Sequence, residues 1–467
     1  MEGIYDNLQQ LPAGWERVKI GDEIEVIRGA SPRPKGDPRY FGGSIPWIMI
    51  SDVTKENGKF ISKTRDHVTQ KGAEKSRYLK AGTLILSNSA TVCVPKILGV
   101  DGCIHDGFVA FPNIPRRFDI LYLYYFFEFI RPRVIDAHRQ GITQVNLNTT
   151  IVKNIQVPIA PPNEQKRIVA EIEKQFSRLD EAVANLKRVK ANLKRYKAAV
   201  LKAAVEGNFT EQWRKAHPDV EPASELLKRI LADRRAKWNR KNKYKEPEAP
   251  KTTELPSLPK SWTWVRWEQI GFSQNGRAFP SKEYQLEGFK LLRPGNLHVS
   301  GKVVWNEENS RYLPENWAEE FPEFIVGPHE IIMNLTAQSL KDEFLGRVCL
   351  TSPDERCLLN QRLARLAPVR VLPEFVLWVF KSHVFRRFVN DLNTGSLIQH
   401  MFTSQLADFV LPLAPLPEQN EIVAEVEQRL SVTQQMDEML ANNFVRSEGL
   451  RQAVLGMAFS GKLSADG

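Results

Sequence analysis

Side chains able to meet base edges and phosphates recur in loops along both halves of the chain. Arg28, Ser31, Arg33 and Lys35 lie in a basic loop rich in Gly and Pro. Ser87, Asn88 and Ser89 follow an apolar run that reads as a strand, and Gln140, Thr143, Gln144 and Asn146 crowd a polar loop. The second half offers Asn275 and Arg277, then Asn334, Thr336 and Gln338, then Ser396, Gln399 and His400. Arg, Asn and Gln can pair bidentately with base edges, while Arg, Lys and hydroxyls reach phosphates. As a set these residues are candidates for DNA binding.

Catalytic motifs are not found. The N/D-P-P-Y/F tetrapeptide of an amino-methyltransferase is missing, since Pro161-Pro162 stands between Ala160 and Asn163. Gly295 to Lys302 has the wrong spacing for a phosphate-binding loop. Neither Pro218-Asp219 nor Pro353-Asp354 is followed by E-x-K, so a metal-dependent nuclease core is not expected. Cys93, Cys103, Cys349 and Cys357 form no CxxC pair and have no suitably spaced His, so no metal site is expected. Reduced, buried thiols, an N-terminus without a basic or apolar leader pattern, and no long apolar stretch point to a soluble cytoplasmic protein. The aromatic run Tyr122, Tyr124, Tyr125, Phe126, Phe127 and Phe129 reads as core, and His105 and His329 as structural.

Loops need a scaffold, and the scaffold is duplicated. The chain has 467 residues, too many for one ordinary core, and its 42% hydrophobic and 26% charged content exclude long disorder. Its net charge of +10 favours a polyanionic partner. VPIAPPNEQKRIVAEIE at 157–173 returns as LPLAPLPEQNEIVAEVE at 411–427, ten of seventeen positions identical at an offset of 254. The same offset relates Ala204 to Ala458 and Gly207 to Gly461. Upstream, Leu11-Pro12-Ala13-Gly14-Trp15 echoes Leu258-Pro259-Lys260-Ser261-Trp262. Each half is thus a variable block followed by a shared block.

The shared block reads as a long helix. Pro162 and Pro417 suit its start, a carboxylate follows in the first turn, and Gly207 and Gly461 suit its end. Ile172, Leu179, Leu186, Leu193 and Val200 recur every seven residues; the second copy offers a looser seam with Val426, Leu430 and Leu440. Such a seam needs a partner helix, and the other copy is the nearest; packing on a globular core is the alternative. Antiparallel pairing keeps the connection from the first helix to the second block short. That connection should hold another amphipathic helix with Leu226, Leu227, Ile230, Leu231 and Trp238 on one side, then a basic run and a Pro-rich linker. The variable blocks mix strand-like runs, at Thr83 to Leu86 and Glu330 to Met333, with helical stretches at Phe118 to Val134 and Glu374 to Phe388. The expected fold class is α+β: two α+β blocks, a long antiparallel two-helix coiled coil and a pseudo-twofold internal repeat.

Two divergent blocks, each followed by P-x-x-P/L-x-E-Q-x-x-I-V-A-E and a long helix, resemble the specificity subunits of type I restriction-modification enzymes. The resemblance covers essentially the whole chain. It departs after Gly461, where the tail that follows Gly207 as Asn208-Phe209-Thr210-Glu211-Gln212-Trp213-Arg214 has no full counterpart. The resemblance implies a target recognition domain at 1–156, a conserved helical region at 157–257, a second recognition domain at 258–410 and a conserved long helix at 411–467. It implies a non-catalytic, sequence-specific DNA-recognition subunit, each recognition domain reading one half of a bipartite double-stranded site. The helices would set the spacer and dock two methyltransferase subunits, and two restriction subunits would join them. S-adenosylmethionine, ATP and Mg²⁺ would belong to those partners and no cofactor to this chain. Two other readings fit the residues alone: an autonomous nuclease or methyltransferase with unrecognised motifs, or a structural coiled-coil adaptor.

Overall fold

A computed structural model describes residues 11–55, 58–88, 92–139, 147–236, 243–338, 343–392 and 399–463. The chain forms two compact units, Met1–Arg188 with Leu440–Gly467, and Val189–Met439. Each long helix gives part of its length to each unit, so segments 157–257 and 411–467 are divided between the units.

The first unit holds β1 (Glu16–Lys19), β2 (Ile27–Arg28), β3 (Phe41–Ile48), β4 (Phe60–Ile61), β5 (Asp66–Val68), β6 (Arg77–Leu79), β7 (Leu84–Ser87), β8 (Pro95–Leu98), β9 (Gly102–Ile104), β10 (Phe108–Phe111) and β11 (Gln156–Ile159). They pair as a ribbon β1-β11 and two sheets, β2-β10-β7-β8-β4 and β5-β3-β9-β6. Every residue of β7, β8 and β10 is buried, as expected for strands covered on both faces.

The second unit holds β12 (Thr263–Arg266), β13 (Gly271–Asn275), β14 (Phe289–Leu292), β15 (Tyr312–Leu313), β16 (Ile325–Val326), β17 (Ile331–Asn334), β18 (Thr336–Ala337), β19 (Val348–Leu350), β20 (Cys357–Leu359), β21 (Leu363–Pro368), β22 (Gln399–His400) and β23 (Val410–Leu413). Their orders are β12-β23, β13-β21-β17-β19, β15-β14-β20-β16 and β18-β22. The first three repeat the first unit's pattern in every strand but β4. The likeness extends to register: Glu16 faces Ile159 in one ribbon and Thr263 faces Leu413 in the other. The parallel pairs β3-β9 and β14-β20 also correspond. A strand matching β4 is reduced to a single bridge, Lys302 to Leu350.

The helices of nine residues or more are α1 (Ile120–Arg139), α2 (Pro162–Val205), α3 (Ala223–Ala236), α4 (Pro373–Lys381), α5 (His383–Leu392) and α6 (Leu416–Phe459). The second helical stretch read from the sequence is thus two helices, separated at Ser382, whose hydroxyl bonds back to the Val379 carbonyl at 2.7 Å. The aromatic run of α1 is core, as its density of rings suggests. Tyr122, Phe126 and Phe127 are fully buried, and Phe459 from the end of α6 packs edge-on against Tyr122 and Phe126.

Within the first unit the start of α2 lies beside the end of α6. Ile168, Val169 and Ile172 share a core with Val454, Leu455, Ala458 and Phe459, and Arg451 pairs with Asp180. Within the second unit the end of α2 lies beside the start of α6. Val200, Ala204 and Val205 share a core with Ile422 and Val426, and Lys197 pairs with Asp437. The pairing in each unit is antiparallel. Ile172, Leu193 and Val200 are buried, with Leu179 and Leu186 half-buried. On α6 the buried positions Val426, Thr433, Leu440, Ser447 and Val454 fall on the same heptad at offset 254, and Leu430 is half-buried beside them.

The apolar side of α3 packs within its own unit: Leu226 and Ile230 are buried with Trp262, Trp267 and Ile270 in the second unit's core. Arg234 of α3 also lies 3.8 Å from the ring centroid of Phe272. Trp238 lies outside the described residues.

Candidate nucleic-acid interface

A loop platform recurs in both units, built by backbone hydrogen bonds. In the first, Gly29 N donates to the Phe108 carbonyl at 2.9 Å and Ala30 N to Ile104 at 3.2 Å. His105 N donates to Ile48 at 3.1 Å and Phe108 N to His105 at 3.1 Å. In the second, Gly276 N donates to Leu363 at 2.9 Å and Arg277 N to Leu359 at 2.9 Å. Asn360 N donates to Leu292 at 3.1 Å and Leu363 N to Asn360 at 2.9 Å. Glycine is required at the crossing. A Cβ on Gly29 would stand 2.0 Å from the His105 carbonyl oxygen, and one on Gly276 2.2 Å from that of Asn360.

On this shared frame the side chains differ: Arg28 stands where the second unit has Asn275, Ala30 where it has Arg277, and His105 where it has Asn360. In the first unit Asp106 is the hub. Its Oδ1 accepts from Ser31 Oγ at 2.7 Å, and its carbonyl accepts from Arg28 Nε and Asn88 Nδ2, each at 3.1 Å. Burial alone would raise the Asp106 carboxyl; the Ser31 hydroxyl, His105, Arg28 and Arg33 outweigh it and hold it below the ordinary range. Burial, with the cations Arg33, Lys35 and Arg28 nearby, keeps His105 below its ordinary 6.5. Its Nδ1 lies 3.1 Å from Asp106 Oδ1 but accepts from Gly107 N at 2.9 Å, which fits a neutral ring protonated at Nε2. Arg28, Arg33 and Lys35 are exposed around this hub.

Not every candidate faces outward. Ser87 and Asn88 are buried; Ser87 Oγ accepts from Val94 N at 3.0 Å, bracing the turn after β7. Asn334 is its counterpart at the end of β17, also buried, donating to the Thr336 and Phe344 carbonyls at 2.9 Å each. These three position loops and leave contact to their neighbours. In the second unit Asn275, Gln338 and His400 are exposed, with Thr336, Gln399 and Arg277 half-buried. Thr336 and Ala337 pair with His400 and Gln399 as a two-stranded ribbon, and Thr336 Oγ1 lies 2.9 Å from His400 Nδ1. The Arg277 guanidinium lies 3.6 Å from the centroid of Phe321, which fixes its plane. Ser89, Gln140, Thr143, Gln144, Asn146 and Ser396 lie outside the described residues. The sequence reading missed Asp106 and the two glycine crossings; only the glycines left a trace, as small residues beside Arg28 and Arg277.

Among the described residues no group of His, Cys, Asp and Glu could hold a metal ion, and no helix is long and apolar enough to cross a membrane. All four cysteines are buried, and burial pushes the Cys93 and Cys349 thiols up to about 12.

Residues 12–195 match the family model of the type I restriction modification DNA specificity domain. The chain is 21% identical over 458 residues to the MjaVIII specificity subunit of Methanocaldococcus jannaschii, covering 97% of this chain and 94% of that one. It is 25% identical over 468 residues to the EcoKI specificity subunit of Escherichia coli K12, covering 98% and 90%. Nearly the whole chain is thus similar to specificity subunits of type I restriction enzymes. A solved chain, from a study of the structural basis of complex assembly and conformational transition of the type I R-M system, shares its fold with a TM-score of 0.64. The identity there is 19%, over 97% of this chain and 100% of that one. The chain's fold is the α+β internal repeat with paired long helices.

Proposed function

We propose that this chain is a specificity subunit, each of whose units reads one half of a bipartite double-stranded DNA site. The observation that carries this reading is the duplicated loop platform, one backbone frame with different side chains at Arg28 and Asn275, Ala30 and Arg277, and His105 and Asn360. A common frame presents readers at the same place in each unit; different side chains give each half its own bases. Arg28, Ser31, Arg33 and Lys35 meet phosphates, while Asn275, Arg277, Thr336, Gln338, Gln399 and His400, with the loops at 140–146 and Ser396, are the candidate readers. The long helices set the spacer and dock two methyltransferase subunits, and two restriction subunits complete the assembly in the cytoplasm. S-adenosylmethionine, ATP and Mg²⁺ act in those partners.

The test is DNA affinity against salt, measured with methyltransferase subunits present. Each phosphate contact contributes a slope of about 0.9 in log affinity against log salt. Replacing Arg28, Arg33 and Lys35 with Ala should lower the slope by about 2–3 on every sequence. An unchanged slope removes the basic loop from the interface. A duplex affinity that ignores sequence altogether would support the adaptor reading.

A further inference from the structure

The internal repeat singles out one side chain beside the candidate readers of the second unit. A short helix leads into β11 in the first unit, Thr149–Lys153, and into β23 in the second, Thr403–Ala407. The two are the same element at an offset of 254. Leu147 and Met401 are buried before them, Val152 and Leu406 within them, and Ile155 and Phe409 after them. Leu147 N donates to the Asn88 carbonyl at 2.9 Å as Met401 N does to that of Leu335 at 3.0 Å. Ile20 N donates to the Ile155 carbonyl at 3.0 Å as Trp267 N does to that of Phe409 at 2.8 Å.

At the residue before the helix the two units part. In the first it is Asn148, whose Oδ1 accepts from Ile151 N at 2.9 Å and caps the helix. In the second it is Phe402, which has no side-chain oxygen to offer and makes no such bond. The Phe402 ring is 58% exposed. Single exposed apolar side chains are common and mean little by themselves. This one stands where an Asn would cap the helix and leave less apolar surface in water, so neither property of the ring favours folding. The ring meets that of His400 edge-on, with centroids 4.6 Å apart, and His400 Nδ1 lies 2.9 Å from Thr336 Oγ1. An apolar ring is thus set against the polar groups of the β18-β22 ribbon.

We propose that Phe402 is a specificity-determining residue whose ring packs on the C5-methyl group of a thymine in the major groove. The inference rests on the reading of the second unit as a base reader, and adds what one of its residues reads. Phosphates are met by cations and hydrogen-bond donors, and a phenyl ring is neither. Of the four bases only thymine presents an apolar group in the major groove, beside its own O4 acceptor and the N6 donor and N7 acceptor of its adenine. A ring set against His400 and Thr336 matches that mixed edge: the polar groups take the donor and acceptors while the ring covers the methyl.

The test uses the full-length protein with methyltransferase subunits and duplexes carrying the site found by sequencing its methylated DNA. Every thymine of the site is exchanged in turn for deoxyuridine, which removes only the methyl. Affinity is expected to fall about fourfold at one thymine, the effect of burying one methyl-sized group. Phe402→Asn, which supplies the first unit's cap, should lose that difference and yet unfold roughly 2–4 °C higher. A methyl effect that survives in Phe402→Asn overturns the proposal, as does a site with no A·T pair. Lower stability of Phe402→Asn would show that the ring serves folding and overturns it too. Affinity lost equally on every duplex assigns the ring to a sequence-independent wedge and counts against it in the same way. His400→Ala separates this inference from the reading beneath it. Relaxed base preference in that variant, with no methyl effect at any thymine, overturns the inference alone; unchanged preference there overturns the reading of the second unit as well.

Discussion

Burial decides which polar side chains of each loop cluster are free to meet a ligand. Ser87, Asn88 and Asn334 were legible as polar residues, but a sequence does not show that their partners are backbone groups, Val94 N for Ser87, the Asp106 carbonyl for Asn88 and the Thr336 and Phe344 carbonyls for Asn334. Arg28, Arg33, Lys35, Gln338 and His400 were legible as candidates and are exposed. The glycine crossings yield the first prediction. Gly29→Ala drives a methyl into the His105 carbonyl and should cost about 1–3 kcal/mol in denaturant unfolding. Gly327→Ala, with nothing within 4 Å of the new atom, should stay within about 0.5 kcal/mol. Equal effects at the two positions would show that the crossing is not tight. The thiols give a second. With all four cysteines buried, a thiol reagent at pH 8 should label none rapidly in the native protein and four after denaturation. Rapid native labelling of any one would contradict its burial.

At the scale of elements, the helices were read better than the seam between them. Pro162 and Pro417 located the starts of both long helices to within a residue. The heptad reading passed over Ser447, which occupies the place of Leu193 as Thr433 occupies that of Leu179. Each hydroxyl bonds a carbonyl of its own helix at 2.7 Å, to Leu430 and Asn443, and so enters the seam without an unpaired polar group. The duplicated platform escaped notice for a different reason. Its residues are offset by 247 at Gly29 and Gly276 but by 255 at His105 and Asn360, so insertions between them hide a likeness carried by backbone bonds. Phe459 tests the first unit's helix packing. Fully buried among Tyr122, Phe126 and Phe129, it should cost about 3–5 kcal/mol when replaced by Ala, seen as earlier unfolding. Glu128 on α1 gives a pH test. Burial pushes its carboxyl above the ordinary 4.5, against the pull of Arg131, Lys96 and Arg451. The ionised form is therefore less favoured folded than unfolded, so its cost is absent below about pH 4.5 and fully present above the folded pKa. Glu128→Gln should raise the melting temperature at pH 7, with the gain fading toward pH 4. A gain that grows on acidification would reverse the assigned sign.

At the scale of the molecule, the duplication was the clearest signal in the sequence, and the structure repeats it in strand order, register and helix pairing. If the paired helices fix the spacer, length is their function. Seven residues inserted between Arg188 and Val189, with seven between Met439 and Leu440, preserve the heptad phase in both helices. They add about 10.5 Å, close to three base pairs at about 3.4 Å each, with a twist that linkers must absorb. A variant that folds and still methylates should favour a spacer about three base pairs longer. The central claim, that each unit reads its own half of the site, is tested most directly by sequencing the sites methylated by the assembled complex in a randomised DNA library. Gln338→Ala with His400→Ala in the second unit is compared with wild type. The account predicts that base preference relaxes within one half-site, by about 1–3 kcal/mol per lost bidentate contact, and stays intact in the other. Relaxation in both halves together, or in neither, would contradict it.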